Sequence, residues 1–257
     1  MHRLLRMLPL LASPLSLGAQ SLGERVTASD GLVQVIYPSR PAVCGDGQTL
    51  IANVLGRSNY YAGNAQFSGH GSWSDRPCVH GPARVVASVV GRDVTRLRAY
   101  VGPVPVASPE TRTITTSASD AAAWLGEIAA RNSGRVASDA MLPLILADAT
   151  PPWPLLLRIA RDDNRPREVR RSALTWLANG VNDHLGIADS HDDSDDDEMR
   201  TQAVFVLSQR PKAESVPDLI ELARIAKSPA ARRSAIFWLG QTGDPRAVDV
   251  FAELLRQ

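Results

Sequence analysis

Lysine is nearly missing from this chain of 257 residues: only Lys212 and Lys227 occur, and arginine carries the rest of the positive charge. The arginines are scattered, so they read as a compositional bias rather than a basic surface. At a net charge of +1 the chain lacks the basic stripe that a phosphate backbone rewards, and no nucleic-acid partner is expected. Cysteine is scarce as well. Cys44 and Cys78 are the whole supply, with no CxxC and no nearby histidine pair, which argues against a zinc site. Past the N-terminus no apolar run approaches the ~20 residues of a membrane-spanning helix. The motifs of chemistry are missing too: no GxSxG, no HExxH, no phosphate-cradling glycine loop and no paired catalytic carboxylates. These absences remove the usual grounds for an enzyme, a metal or a cofactor, and none is expected.

What is present begins with a targeting pattern. Arg3 and Arg6 precede the apolar stretch Met7–Leu17, and Leu17-Gly18-Ala19 ends in small residues. Residues 1–19 therefore read as a signal peptide cleaved after Ala19. Pro9 and Pro14 would break the alternative, a buried helix. The mature protein is then expected to be exported, periplasmic or extracellular, where an even cysteine pair favours one disulfide, Cys44–Cys78. By closing a loop of more than thirty residues, it would contribute on the order of 3–4 kcal/mol.

Residues 20–107 read as a small β-rich module. Its strands are expected over Leu32–Tyr37, Thr49–Leu55 and the two arms Ala83–Val90 and Val94–Val101, which flank a three-residue turn, Gly91-Arg92-Asp93. The stretch 56–81, rich in Gly, Ser and Asn, reads as a loop. Proline and threonine make 108–118 a linker. From 119 to 257 the pattern is helical: Ala121–Arg131 after Ser119-Asp120, Val136–Leu146 with a bend at Pro143, Trp153–Arg161, a helix after Pro166, Ser215–Ala226, and a last helix with Asp244 as N-cap and Pro245 at its first position. The expected fold class is α+β in two parts.

One pattern recurs three times in the helical part. Val169-Arg170-x-x-Ala173-x-x-x-Leu177 returns as Met199-Arg200-x-x-Ala203-x-x-x-Leu207 and as Ala231-Arg232-x-x-Ala235-x-x-x-Leu239, with the arginines thirty and thirty-two residues apart. That is the period of a two-helix solenoid repeat, whose unit buries its apolar face only against neighbours. These residues, with Leu239-Gly240-Gln241-Thr242-Gly243-Asp244-Pro245-Arg246-Ala247, resemble the short bacterial HEAT-like repeat over about residues 150–257, and weakly over 119–150. The resemblance implies an α-solenoid that scaffolds or binds proteins, and an Arg–acid ladder running from Arg170, Arg200 and Arg232 to the next layer. Ala173, Ala203 and Ala235 would admit close helix approach, and Leu177, Leu207 and Leu239 would fill the core. One departure stands out: between the first two copies the partner helix is missing or short, reduced to about Asn182–Ala188 before an acidic run.

Candidate sites follow from what the repeat leaves over. Thr175, Phe205 and Phe237 share a repeat position about 200° round from the alanines, with Arg171 and Arg233 one turn earlier, so they form a candidate partner-binding strip. The competing reading packs those rings against a flanking helix or the β module. The run His191–Glu198 suggests a calcium loop, yet it has neither the spaced ligands nor the glycine of one, and a solvated loop fits it better. His184 and His191 lack a recognised metal spacing. His70 and His80 bracket Cys78 beside Trp73 and Asp75, but a disulfide sulfur cannot act as nucleophile. The chain thus reads as an exported protein-interaction module, monomeric until it meets an unidentified protein partner. The alternatives are a small-ligand or calcium-binding envelope protein, or an enzyme like the HEAT-like bilin lyases.

Overall fold

Alternating β-branched residues build the sheet, and the computed structural model describes it within residues 20–41, 43–52, 54, 61–62, 78–185 and 195–257. The proposed signal peptide, His70, Trp73, Asp75 and His191 lie outside those residues. After a short helix α1 (Leu22–Val26), strand β1 (Gly31–Tyr37) runs between β5 (Ala83–Val90) and β7 (Thr111–Thr115). With β6 (Asp93–Val101) they make a mixed sheet of order β6-β5-β1-β7, in which only the β1–β7 pairing is parallel. Three short strands, β2 (Cys44–Gly45), β3 (Leu50–Ala52) and β4 (Tyr61–Ala62), form a second sheet.

The stretch 108–118 is not a free linker. Thr111, Thr113 and Thr115 are β-branched residues around the buried Ile114, and this alternation favours a strand more than proline and threonine content favours a tether. Gln34, buried in β1, donates to Thr113 Oγ1 at 2.7 Å across the parallel pair. The hairpin turn is also tighter than expected. Gly91 and Arg92 both have positive φ, 59° and 68°, which is the two-residue turn that matches strand twist, and Asp93 already belongs to β6. A register shift at Ser88/Val89 absorbs the imperfect alternation of the second arm.

Nine helices follow among the described residues. They are α2 (Ala118–Arg131), α3 (Gly134–Asp139), α4 (Met141–Leu146), α5 (Trp153–Arg161), α6 (Arg167–His184), α7 (Asp195–Ser208), α8 (Lys212–Ile225), α9 (Pro229–Thr242) and α10 (Arg246–Leu254). Ser117, not Ser119, caps α2, its hydroxyl accepting from the Asp120 N–H at 3.0 Å. The chain breaks between α3 and α4 at Ala140 rather than at Pro143. Pro143 sits in the first turn of α4, where its missing N–H goes unneeded. Helices α2, α3 and α4 touch both the sheet and α5 or α6. Buried side chains therefore form one cluster from Val35 through Leu125 to Leu239, and the two parts share a core.

The scattered cations have a structural use: several close helix C-termini, whose last carbonyls lack intrahelical donors. Arg112 donates to the Arg25 and Val26 carbonyls at the end of α1, and Arg165 to Ala129, Ala130 and Asn132 at the end of α2. Arg40 reaches Ile145 and Ala149 around the end of α4, and Lys212 reaches Thr242 at the end of α9.

Packing among the last helices departs from chain order. Helix α9 packs against α6, α7 and α8, whereas α10 lies against α5, α6 and α8. The third copy of the motif thus stands between the first and the second. Gly240 makes the α6 contact possible: a Cβ there would come within 2.7 Å of the Ala178 Cβ and 3.2 Å of the Leu174 carbonyl oxygen. Trp238, about 200° round the same helix, meets Phe205 of α7 at a ring separation of 5.1 Å. Among the described residues Arg170 and Arg232 do not build the expected Arg–acid ladder to the next layer. Arg170 pairs with Asp163 in the preceding loop and Arg200 with Asp197 in its own first turn, while Arg232 donates to the Ala223 carbonyl at 2.8 Å. Two ion pairs that do cross between helices use other residues, Arg161–Asp249 at 2.9 Å and Arg224–Glu253 at 2.6 Å, tying α10 to α5 and α8. All four side chains are open to solvent over about two fifths of their surface or more, so each pair contributes roughly 0.2–1 kcal/mol.

Candidate functional site

The three motif copies fold into helices but do not present the same face. In α6 the residues Val169, Ala173 and Leu177 are fully buried, as are Ala235 and Leu239 in α9. In α7 the pattern inverts. Ala203 is exposed, Leu207 is half-buried, Met199 is 65% accessible and Val204 takes the inward position at 4%. At 100° per residue, Met199, Ala203 and Val206 fall within roughly a 60° arc, about 100° from Val204 at its nearer edge, Ala203, and about 160° at its farther edge, Val206. The physical cause lies in the neighbours: α7 contacts α8 and α9, and on its far side no described helix supplies the layer that covers α6. Ala203, expected at a close helix contact, is exposed instead, whereas Leu207 still packs half-buried against the core.

A chemically distinct cluster adjoins this face. Phe205 and Phe237 both lie 5.1 Å from the Trp238 ring, Phe205 tilted and Phe237 edge-on, in geometries aromatic quadrupoles favour. Phe205 stays 36% accessible, whereas Phe237 is half-buried. Thr175 does not join them. Its hydroxyl donates to the Arg171 carbonyl at 3.1 Å and accepts from Gln241 of α9 at 3.4 Å, because α9 stands between α6 and α7. The Thr175–Phe205–Phe237 row of the sequence is therefore interrupted in space, and Trp238 replaces Thr175 as its third ring-side member.

Electrostatics fasten α7 to α9. Asp197 accepts from Arg200 at 2.8 Å and from the Ser228 hydroxyl, the N-cap of α9, at 3.1 Å. The Arg200 bond above all, helped by Ser228 and the nearby Arg233, holds its carboxyl below the ordinary carboxylate range. Of the acidic run, residues 191–194 lie outside the described residues, and Asp195–Glu198 open α7. Among the described residues no three His, Cys, Asp or Glu side chains gather as a metal site would require. His184 is exposed at the end of α6, which runs on through Asn182, and residues 186–188 of the expected short partner segment lie outside the described residues. His80 is spoken for as well, its Nδ1 lying 3.0 Å from the Val43 carbonyl.

Cys44 and Cys78 are joined in a disulfide with Cα atoms 5.1 Å apart. Beside it Gly45 and Val79 exchange both backbone hydrogen bonds, at 2.9 and 3.1 Å, so the crosslink and a β-bridge fix the same crossing. Sequence reasoning missed Val206 as a surface residue and the half-buried Trp238 as the brace of Phe205. The seven-residue spacing of Met199 and Val206, apolar at both ends, was the available signal for the outer stripe.

Comparison with known proteins agrees with this helical end. A family model described as HEAT repeats matches residues 187–257, so the C-terminal stretch carries HEAT-like repeats; the first motif copy lies outside the match. No curated protein and no solved structure matches the chain. No described helix is long and apolar enough to cross a membrane.

Proposed function

We propose that the chain is an exported protein-interaction module, a scaffold whose C-terminal helices form a short, folded-back HEAT-like solenoid that docks a protein partner on the outer face of α7. HEAT repeats generally mediate protein–protein contact, and the single observation carrying the reading is the inverted second copy. A face that buries neighbouring helices in α6 and α9 points outward in α7, where Met199 and Val206 are 65% and 57% accessible. Phe205, braced by Trp238, supplies a rigid aromatic anchor beside it. Arg171 and Arg233 belong to other surfaces in this reading, and no catalytic step is assigned. Export, the signal peptide and the disulfide support one another, since a crosslink of this kind persists in an oxidising compartment.

Crosslinking in the native envelope followed by mass spectrometry tests the proposal, comparing the natural chain with the Met199→Ser/Val206→Ser variant. Both positions face solvent, so the variant is expected to melt at the same temperature and to lose its crosslinked partner. An unchanged set of crosslinked proteins would overturn the assignment of α7.

A further inference from the structure

A second concave surface, independent of α7, runs along the N-terminal half of α6. A cavity of about 720 Å³ is lined by Arg167, Arg170, Arg171 and Lys212, with Glu168 its one carboxylate. A smaller cavity of about 310 Å³ shares Glu168 and Arg171 and continues past Ser138 and Ser172. The four cations are not equally occupied. Arg170 is paired with Asp163 and Lys212 caps α9 through the Thr242 carbonyl. Among the described residues the guanidinium groups of Arg167 and Arg171 make no hydrogen bond or ion pair, although they sit one turn apart on the same helix face, where like charges repel. In the smaller cavity Asp139 adds a second carboxylate, raised from its ordinary range by burial and opposed in that by Arg135 and Arg96, and the Arg135 guanidinium beside it offsets its charge.

From Arg167 to Thr175 the groove follows roughly 12 Å of helix, the length of about four extended residues. A single small anion would fill neither cavity. We propose that this groove binds an acidic peptide segment, with Arg167 and Arg171 clamping successive carboxylates and Ser138 and Ser172 offering hydroxyls to the peptide backbone beyond them. Guanidinium forks suit this task because each can hold a carboxylate through two parallel hydrogen bonds. Glu168 sets register by repelling a carboxylate placed between the two clamps.

The test is fluorescence anisotropy of a labelled hexaglutamate peptide titrated with the full chain at low ionic strength. Saturable binding is expected, weakened about tenfold or more in R167A/R171A and less in R167K/R171K, which keeps the charge and loses the fork. R158A, an exposed arginine of α5 outside the groove, is expected to bind as the natural chain does. Thermal melts show whether each variant is folded, and the lysine variant carries the test if the alanine variant is not. Absence of saturable binding would overturn the proposal, as would equal weakening by R158A. Displacement of the peptide by inorganic phosphate as readily as by unlabelled peptide would also overturn it, assigning the groove to small anions.

Discussion

Replacing Gly240 with alanine separates the observed helix packing from the chain-order stack that the repeat alone suggests. In an isolated helix interior Gly→Ala is favourable by about 1 kcal/mol. Here the added methyl meets the Ala178 Cβ at 2.7 Å and the Leu174 carbonyl oxygen at 3.2 Å, so α6 and α9 must part. Overpacking of this kind costs about 1–3 kcal/mol. The opposition leaves Gly240→Ala destabilising on the order of 1 kcal/mol, a fall in melting temperature of about 2–4 °C for a chain of this size. In an Ala178→Gly background the closer contact is gone, and the same change is expected to become neutral or stabilising by up to about 1 kcal/mol. A double-mutant cycle read by chemical denaturation would then give a coupling of about 1–2 kcal/mol. Should Gly240→Ala raise the melting temperature of the otherwise natural chain, with no coupling to position 178, α9 does not lie against α6 and the packing order is wrong.

Other expectations concern single interactions. Removing the crosslink with Cys44→Ser/Cys78→Ser, a sequence separation of 34, should cost on the order of 3–4 kcal/mol, seen as a lower melt that reductant no longer shifts. Tyr37, fully buried, donates its hydroxyl to the Pro143 carbonyl at 2.8 Å. Tyr37→Phe leaves that acceptor unpaired at about 1–3 kcal/mol in urea unfolding. Burial pushes the Tyr37 phenol far above its ordinary range, so its contribution holds below pH ~10 and fades as pH rises beyond the unfolded value. Ultraviolet titration should show one tyrosine ionising only with unfolding; all four ionising together in the folded protein would contradict it. Asp244 accepts from the Arg246 N–H at 3.0 Å, and the Arg246 guanidinium holds its carboxyl below the usual range. Pro245, not Asp244, stands at the N-cap position of α10, so the Asp244 carboxylate acts through its bonds to Arg246. Asp244→Ala should cost about 1 kcal/mol at neutral pH, with the difference vanishing as acid protonates the natural carboxylate; an equal penalty at both pH values would refute this role.

Local chemistry explains which parts of the fold were legible. Strand β1, the β5–β6 hairpin and helices α5, α6 and α9 follow from β-branched runs, turn residues and apolar spacing, all properties of neighbouring residues. The linker misreading at 108–118 arose because threonine signals both turns and strands, and only the pairing with β1 decides between them. Spatial order was not legible. Motif copies that share the same Arg, Ala and Leu positions cannot announce that α9 stands between α6 and α7, because that depends on Gly240 finding Ala178 across the chain. For the same reason Ala203 read as core: its motif matches Ala173 and Ala235, and the difference lies in which helices surround it. The strip through Phe205 and Phe237 was found from repeat position, while its Trp238 brace and its separation from Thr175 required the packing.

The central claim is that the outer face of α7 holds a protein partner. Its most direct test places a photoactivatable amino acid at position 203, in the middle of the Met199–Val206 stripe, in the full chain expressed in its own cells. Illumination is expected to yield an adduct to one discrete protein, absent when the probe stands at position 158 on α5. Adducts at 203 that are missing, or the same as those at 158, would contradict the account.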